Sequence, residues 1–293
     1  MRPPINYYGA KTRIAPKLLP LIPTLPIYCE AYGGSGSLLF ARPIGSIEAY
    51  NDINGDLVNL YKALRDRKRC AELERRLTLT LYSEEEFGDA LKTLKSMDSS
   101  PDDRAHATFV SLNQGFDGIS GVGGQCIGNW SRYYISKDRY GLPANIRRWL
   151  NRLADLNESH ARLARVQIYN RCALDFIRIW DSVGTVFYLD PTYAPATRCK
   201  LNAYINECST SHHRQLVELL LTVKGAVVLS GYAKRNNNIY LPLENAGWER
   251  TDIPTHCTVG PGHSPRIETV WRNQRAVYLT RTPMIRSSLL CYD

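Results

Sequence analysis

Apolar residues follow two rhythms along this chain. Short runs bounded by turn-forming residues, at 27–30, 46–50, 165–169, 186–189 and 226–229, each predict a strand. Ile267-Glu268-Thr269-Val270-Trp271 alternates and predicts one more. Helical spacing occupies the ground between. Leu57, Leu60, Tyr61 and Leu64 share one face, and Ser83 followed by Glu86 is a capping box opening a helix through Leu94. A polar gap at 96–103 precedes a helix over 106–113. A basic helix from Asn145 to about Arg162 buries Ile146, Trp149, Leu150, Leu153 and Leu156, with Arg147, Arg148 and Arg152 largely opposite. The predicted strands therefore lie in residues 1–55 and 164–293. Residues 56–163 read as a mainly helical insertion that carries partner recognition.

Among the strands, Val186-Phe187-Tyr188-Leu189 suits one buried on both faces of a parallel sheet. It stops at Asp190-Pro191-Thr192-Tyr193, which puts a carboxylate at the C-terminal edge, where open α/β sheets place their ligands. Pro191 stiffens the turn and biases Asp190 toward extended backbone, and Tyr193 adds a flat ring. Carboxylate, fixed backbone and ring together could grip an amino-bearing planar base. A buried end-of-strand turn would read the same way.

The first strand runs into Ala31-Tyr32-Gly33-Gly34-Ser35-Gly36 and a helix start. The glycines allow a tight turn and close approach to a ligand. Their spacing is not the dinucleotide pattern. About twenty residues on, Asp52 follows the second strand, where a carboxylate can accept ribose hydroxyls. A nucleoside-containing cofactor is the reading. Asp175 is either a pocket residue or a helix N-terminal acid. Ahead of all this, Tyr7-Tyr8-Gly9 suggests a flexible or tightly turned segment, and Lys11 taken alone reads as a solvated surface lysine. Gly128-Asn129-Trp130-Ser131-Arg132-Tyr133-Tyr134 sets an arginine among aromatics, so Arg132 and Tyr134 suit phosphate and base contact. The polar stretch 198–210, opening on Arg198, suits a flap over a site.

Composition narrows the class. With 293 residues, 44% hydrophobic and 22% charged, the chain can bury a full core and carry a second lobe. The net charge of +9 fits a polyanionic partner. No apolar stretch reaches membrane-spanning length, and a cytoplasmic protein is expected. The eight cysteines form no Cys-x-x-Cys pair, and adjacent His212 and His213 lack a partner cluster, so no metal is expected. Solvated or helix-capping histidines are the preferred reading.

Taken in order, Tyr8-Gly9-Ala10-Lys11, Glu30-Ala31-Tyr32-Gly33-Gly34-Ser35-Gly36, Asp52-Ile53-Asn54 and Asp190-Pro191-Thr192-Tyr193-Ala194-Pro195 resemble the Dam-like DNA adenine-N6 methyltransferases of phages and prophages. Asn113-Gln114-Gly115-Phe116-Asp117-Gly118 and Ser230-Gly231-Tyr232 are similar more weakly. Thr192 replaces a proline of the family tetrapeptide, and Tyr32 a phenylalanine. The resemblance implies an S-adenosylmethionine-dependent α/β fold: a Rossmann-like mixed sheet with helices on both faces and an inserted helical target-recognition domain. It implies methyl transfer from S-adenosylmethionine to N6 of an adenine flipped out of double-stranded DNA. The catalytic residues would be Asp190, Pro191, Thr192 and Tyr193. Tyr8, Lys11, Glu30, Tyr32, Gly33, Gly34, Gly36, Asp52 and Asp175 would line the cofactor site. Lys11, Asn113, Arg132, Tyr134 and Arg198 would meet DNA. A monomer is expected, with a dimer as the alternative. An N4-cytosine methyltransferase, a non-catalytic DNA-binding relative, and an RNA or small-molecule methyltransferase stay open.

Overall fold

A computed structural model of the chain describes residues 1–116, 130–131, 141–193, 208–233, 238–256 and 265–282. Its strands are β1 (Ile27–Glu30), β2 (Ile47–Asn51), β3 (Val166–Tyr169), β4 (Thr185–Leu189), β5 (Ala226–Gly231), β6 (Glu249–His256) and β7 (Pro265–Arg272). They form a sheet in the order β3-β2-β1-β4-β5-β7-β6. The first five strands run parallel, while β7 inserts antiparallel between β5 and β6. All six predicted strands are present. β6 was not anticipated: ERTDIPTH is polar and contains Pro254, a composition that only an edge strand tolerates.

Strand alternation explains how both faces are buried. On β4, Val186 and Tyr188 join the cluster on one face, while Phe187 and Leu189 join the cluster on the other. The first face is covered by α1 (Ala15–Leu18), α2 (Ser37–Ala41), α3 (Gly55–Arg65), α4 (Arg67–Leu79), α5 (Glu84–Lys95), α6 (Pro101–Gln114), α7 (Ala144–Ala154) and α8 (Leu156–Leu163). The second takes α9 (Ala173–Trp180), α10 (Thr210–Leu220) and α11 (Leu241–Asn245). α12 (Gln274–Arg281) returns to the first face through Ala276. Helices α3 to α8 thus share one continuous core with the sheet. Among the described residues, no helix is long and apolar enough to cross a membrane.

Local chemistry sets the helix starts. Asn54, Ser83, Ser100, Ser209 and Asn273 each accept a backbone N–H of the first turn. Ser100 with Pro101 starts α6 five residues before the predicted onset at His106, so part of the expected polar gap is helix. The single basic helix expected over 145–162 is two, divided at Asp155, whose backbone stands near the bridge region (φ −85°, ψ 2°). The inward stripe of α7 passes through Asn145 and Trp149, and a helical step of about 100° carries Leu150 out to solvent at 48% exposure. Arg152 turns inward instead of facing a partner and donates to the Pro3 carbonyl.

Arg162 also points inward. It forks onto the buried Glu48 carboxylate, which Arg42 contacts at 2.7 Å. Together they tie α8 to β2. Removing one partner of a buried pair leaves a charge uncompensated, so Arg162→Ala should lower stability by about 3 kcal/mol in urea unfolding. A loss under about 1 kcal/mol would show that Arg42 alone satisfies Glu48.

Candidate active site

The chain leaves β1 toward β2 on one side and β4 toward β5 on the other, so the sheet's topological switch lies between β1 and β4. The C-terminal ends of these strands open onto a cavity of about 400 Å³. Its lining joins Tyr8 and Lys11, then Glu30, Tyr32, Gly33 and Gly34 beyond β1, Asp52 beyond β2, and Asp190 through Tyr193 beyond β4. Two sets of residues separated by 138 or more positions in sequence therefore share one space.

At the β1 end, packing dictates the glycines. A Cβ on Gly33 would lie 2.1 Å from the Tyr50 ring, and Gly34 has φ +49°. Gly36 (φ +63°) precedes α2 but is not part of the lining. The Asp52 carboxylate accepts from Gly34 N–H and Asn54 N–H, both at 2.8 Å. It therefore holds the glycine loop shut while facing the cavity. Glu30 accepts from the Tyr28 hydroxyl at 2.7 Å, and burial pushes its carboxyl up to about 7. Tyr32 spends its extra hydroxyl on His212 Nε2 at 2.7 Å. Carboxylates, backbone groups and tyrosine rings make a donor set that fits a cationic nucleoside such as S-adenosylmethionine.

At the β4 end, Lys11 Nζ lies 3.0 Å from Asp190 Oδ1 and 3.3 Å from Glu268 Oε1. It donates to the Tyr193 hydroxyl at 2.8 Å, which in turn donates to Glu268 Oε2 at 3.0 Å. Lys11 is only 6% exposed. Burial opposes its charge, but Asp190, Glu268 and Tyr193 outweigh burial and hold the ammonium well above the usual lysine range. Burial raises the Asp190 carboxyl to about 6, with Lys11 pulling against it and Glu268 adding to it. Lys11 is thus no surface lysine, and its charge is neutralised by carboxylates before it can oppose a cationic cofactor.

Thr192 stands where a proline was expected, and hydrogen bonds do the proline's work. Its hydroxyl accepts from Cys208 N–H at 2.8 Å. Its carbonyl lies 3.1 Å from His213 Nε2, and because a carbonyl can only accept, that nitrogen carries the proton. His213 Nδ1 then accepts from the Tyr240 hydroxyl at 2.8 Å. His213 is fully buried, so its reading as solvated or capping is overturned.

Other expectations fall differently. Asp175 is the helix acid, in the first turn of α9, exposed, 2.9 Å from Arg178 and outside the cavity lining. Asn113 does not face a partner. It is buried, accepts from Asn6 N–H at 3.0 Å, and donates to the Pro4 and Phe109 carbonyls. Arg132, Tyr134 and Arg198 lie outside the described residues. Sequence reasoning missed Glu268, Arg171, Cys172 and His212. Glu268 looks like one polar position of an alternating strand, and only the placement of β7 reveals its partners. Among the described residues, no group of three or more His, Cys, Asp or Glu could hold a metal ion.

A parallel sheet closed by an antiparallel pair, with a glycine loop and an Asp-Pro-x-Tyr turn facing one cavity, is the arrangement of a Rossmann-like methyltransferase fold. Residues 7–244 match the family model of the D12 class N6 adenine-specific DNA methyltransferases, and the chain belongs to that family. It is a site-specific N6-adenine DNA methyltransferase by family, in place of the cytosine-N4, RNA and small-molecule readings. No curated protein matches the chain.

Two outcomes follow from the geometry. Asp52→Asn should weaken S-adenosylmethionine binding by roughly 1–3 kcal/mol in calorimetry, because a charged acceptor at the loop is lost; unchanged affinity would remove Asp52 from the site. Thr192→Pro loses the hydroxyl that holds Cys208 N–H, so its kcat should fall by about fivefold, on the scale of one neutral hydrogen bond. Equal or faster turnover would show that a rigid φ alone suffices.

Proposed function

We propose that the chain is a Dam-like enzyme of the phage and prophage type, and that it methylates an adenine flipped from duplex DNA into the Asp190 end of the cavity. The observation that carries this reading is the Lys11–Asp190 contact in the cavity that the glycine loop also lines. Bound S-adenosylmethionine supplies an electrophilic methyl group on a sulfonium. Glu30, Tyr32, Gly33, Gly34 and Asp52 would hold that cofactor at the β1 end, with Tyr8 at the rim.

The acceptor end does the rest through positioning. Lys11 occupies Oδ1 of Asp190 and leaves the second carboxylate oxygen for one N6 hydrogen. The Pro191 carbonyl accepts the other. An adenine amino group is a weak nucleophile because its lone pair is shared with the ring. Two fixed acceptors favour a pyramidal nitrogen and stabilise the positive charge that grows on it. Tyr193 offers its ring to the base; its edge-on contact with Tyr232, centroids 4.4 Å apart, fixes the tilt.

Helices α3 to α8 carry exposed Arg65, Arg67, Lys68, Arg147 and Arg148, and we assign residues 56–163 to contact with the duplex. Arg132, Tyr134 and Arg198 belong to the same proposed contact. The chain would act as a monomer.

Radiolabelled methyl transfer into duplex DNA, followed by digestion to nucleosides, tests the roles. Wild type should yield N6-methyldeoxyadenosine, and Asp190→Ala should yield none while keeping its fold and cofactor affinity. Label from Asp190→Ala at the wild-type rate would contradict the assignment. Protonation of Asp190 removes an acceptor and a charge, so kcat should fall as pH drops through about 6, well above the range of an ordinary aspartate. A flat profile down to pH 5 would contradict that placement. Raising salt from about 50 to 200 mM should weaken duplex binding steeply in a fluorescence titration, because phosphate contacts release counterions. Affinity independent of salt would argue against the basic helical face.

A further inference from the structure

Glu268 lies on β7, beyond residue 244 where the family match ends. It is 3% exposed, although Ile267 beside it is 52% exposed. Inside the sheet it faces Ile253 of β6, one residue past the pairing of Thr269 with Gly231 of β5. A buried acid at such a position costs stability unless it is paired, and an apolar residue would serve packing as well or better. Packing therefore does not account for it. Its contacts lead into the site: Oε2 accepts from the Tyr193 hydroxyl at 3.0 Å, and Oε1 has no hydrogen bond but lies 3.3 Å from the Lys11 ammonium.

We propose that Glu268 is a positioning residue for methyl transfer, anchoring the Tyr193 ring and sharing Lys11 with Asp190. This rests on the catalytic reading of Asp190 above. Two consequences follow from the geometry. The first is mechanical. The Tyr193 hydroxyl is held between Lys11 and Glu268, so the ring has a fixed orientation before any base arrives. The second is electrostatic. One ammonium faces two carboxyls, and with both ionised the cluster carries a net negative charge. That charge favours the cationic character that develops on the acceptor nitrogen. Without Glu268, Lys11 would neutralise Asp190 alone, and the acceptor would face a cluster of no net charge.

The groups that face Asp190 are Lys11 from the N-terminal segment, Glu268 from β7, Tyr188 from β4, Tyr193 on its own turn, and Tyr240 ahead of α11. Among them Glu268 acts to raise the Asp190 carboxyl, while Lys11 acts to lower it. Replacing Glu268 by its neutral isostere should therefore let Asp190 ionise at lower pH.

The full-length protein carrying Glu268→Gln tests this by steady-state methyl transfer into duplex DNA across pH. The expected result is a kcat lowered on the order of 10- to 100-fold. KM for S-adenosylmethionine should change by no more than about threefold, and the acid limb of kcat should move to lower pH. A residue that only supported the fold would leave the position of that limb unchanged. Wild-type kcat with an unmoved limb overturns the proposal. If Glu268→Gln does not fold, Tyr193→Phe carries the test, since it deletes only the hydroxyl that Glu268 holds. Reduced kcat with intact cofactor binding supports the anchoring, and wild-type kcat overturns it. Asp190→Ala, run alongside, separates the two claims. Transfer by Asp190→Ala overturns the catalytic reading itself, whereas an inactive Asp190→Ala beside a fully active Glu268→Gln overturns the anchoring alone.

Discussion

The ion pair between Lys11 and Asp190 is the constraint around which the rest of the structure is arranged. At 3.0 Å its gross attraction is on the order of 5 kcal/mol for an effective dielectric of about 20, and burial of both groups offsets much of that. Such a pair is worth keeping only if its geometry is held. Lys11 opens a short 3-10 turn ahead of α1, but residues 1–10 before it form no helix or strand, so other elements must hold them. Asn113 on α6 binds Asn6 and Pro4, and Arg152 on α7 binds the Pro3 carbonyl. The helical half therefore has a task besides any contact with DNA: it sets the segment from which Lys11 reaches the sheet. Substitutions at Asn113 or Arg152 should be read in that light.

Two solutions to loop rigidity meet in one cavity. At the β1 end, Gly33 is required because Tyr50 fills the space a side chain would take, Gly34 adopts φ +49°, and Asp52 ties the loop by accepting from Gly34 N–H. At the β4 end, Pro191 fixes one position, and Thr192 is held by Cys208 N–H on its hydroxyl and by His213 on its carbonyl, with Tyr240 in turn bonding His213. Cys208 stands just before α10, His213 on α10 and Tyr240 just before α11, which couples the turn to the helices on the second face of the sheet. A turn built this way depends on its neighbours more than a turn of two prolines would.

The strands were legible because a doubly buried strand is mostly apolar: β4 and β5 carry unbroken runs at 186–189 and 226–229, and β1 and β2 keep enough of one around buried Glu30, Glu48 and Asn51. Asp190, Glu30 and Asp52 were legible because each acid directly ends or follows such a run. β6 escaped notice because an edge strand with Pro254 can be polar. The division at Asp155 escaped too, since nothing in the apolar spacing marks where one helix becomes two. Asn113 and Arg152 were misread because polar side chains that bond a distant backbone look, in sequence, like side chains waiting for a partner. Glu268 and His213 are the deeper misses. Their meaning lies in residues 75 and 27 positions away, a separation that no local pattern reports.

Lysine-selective NMR of the ammonium nitrogens tests the central claim most directly. If Lys11 is locked between Asp190, Glu268 and Tyr193, its ammonium should remain protonated as pH is raised through about 10.4, where an unperturbed lysine loses its proton, and its protons should exchange slowly with water. The Asp190→Ala variant should lose that behaviour. A Lys11 signal that titrates with the exposed lysines in the wild-type protein would contradict the ion pair, and with it the arrangement of the acceptor site.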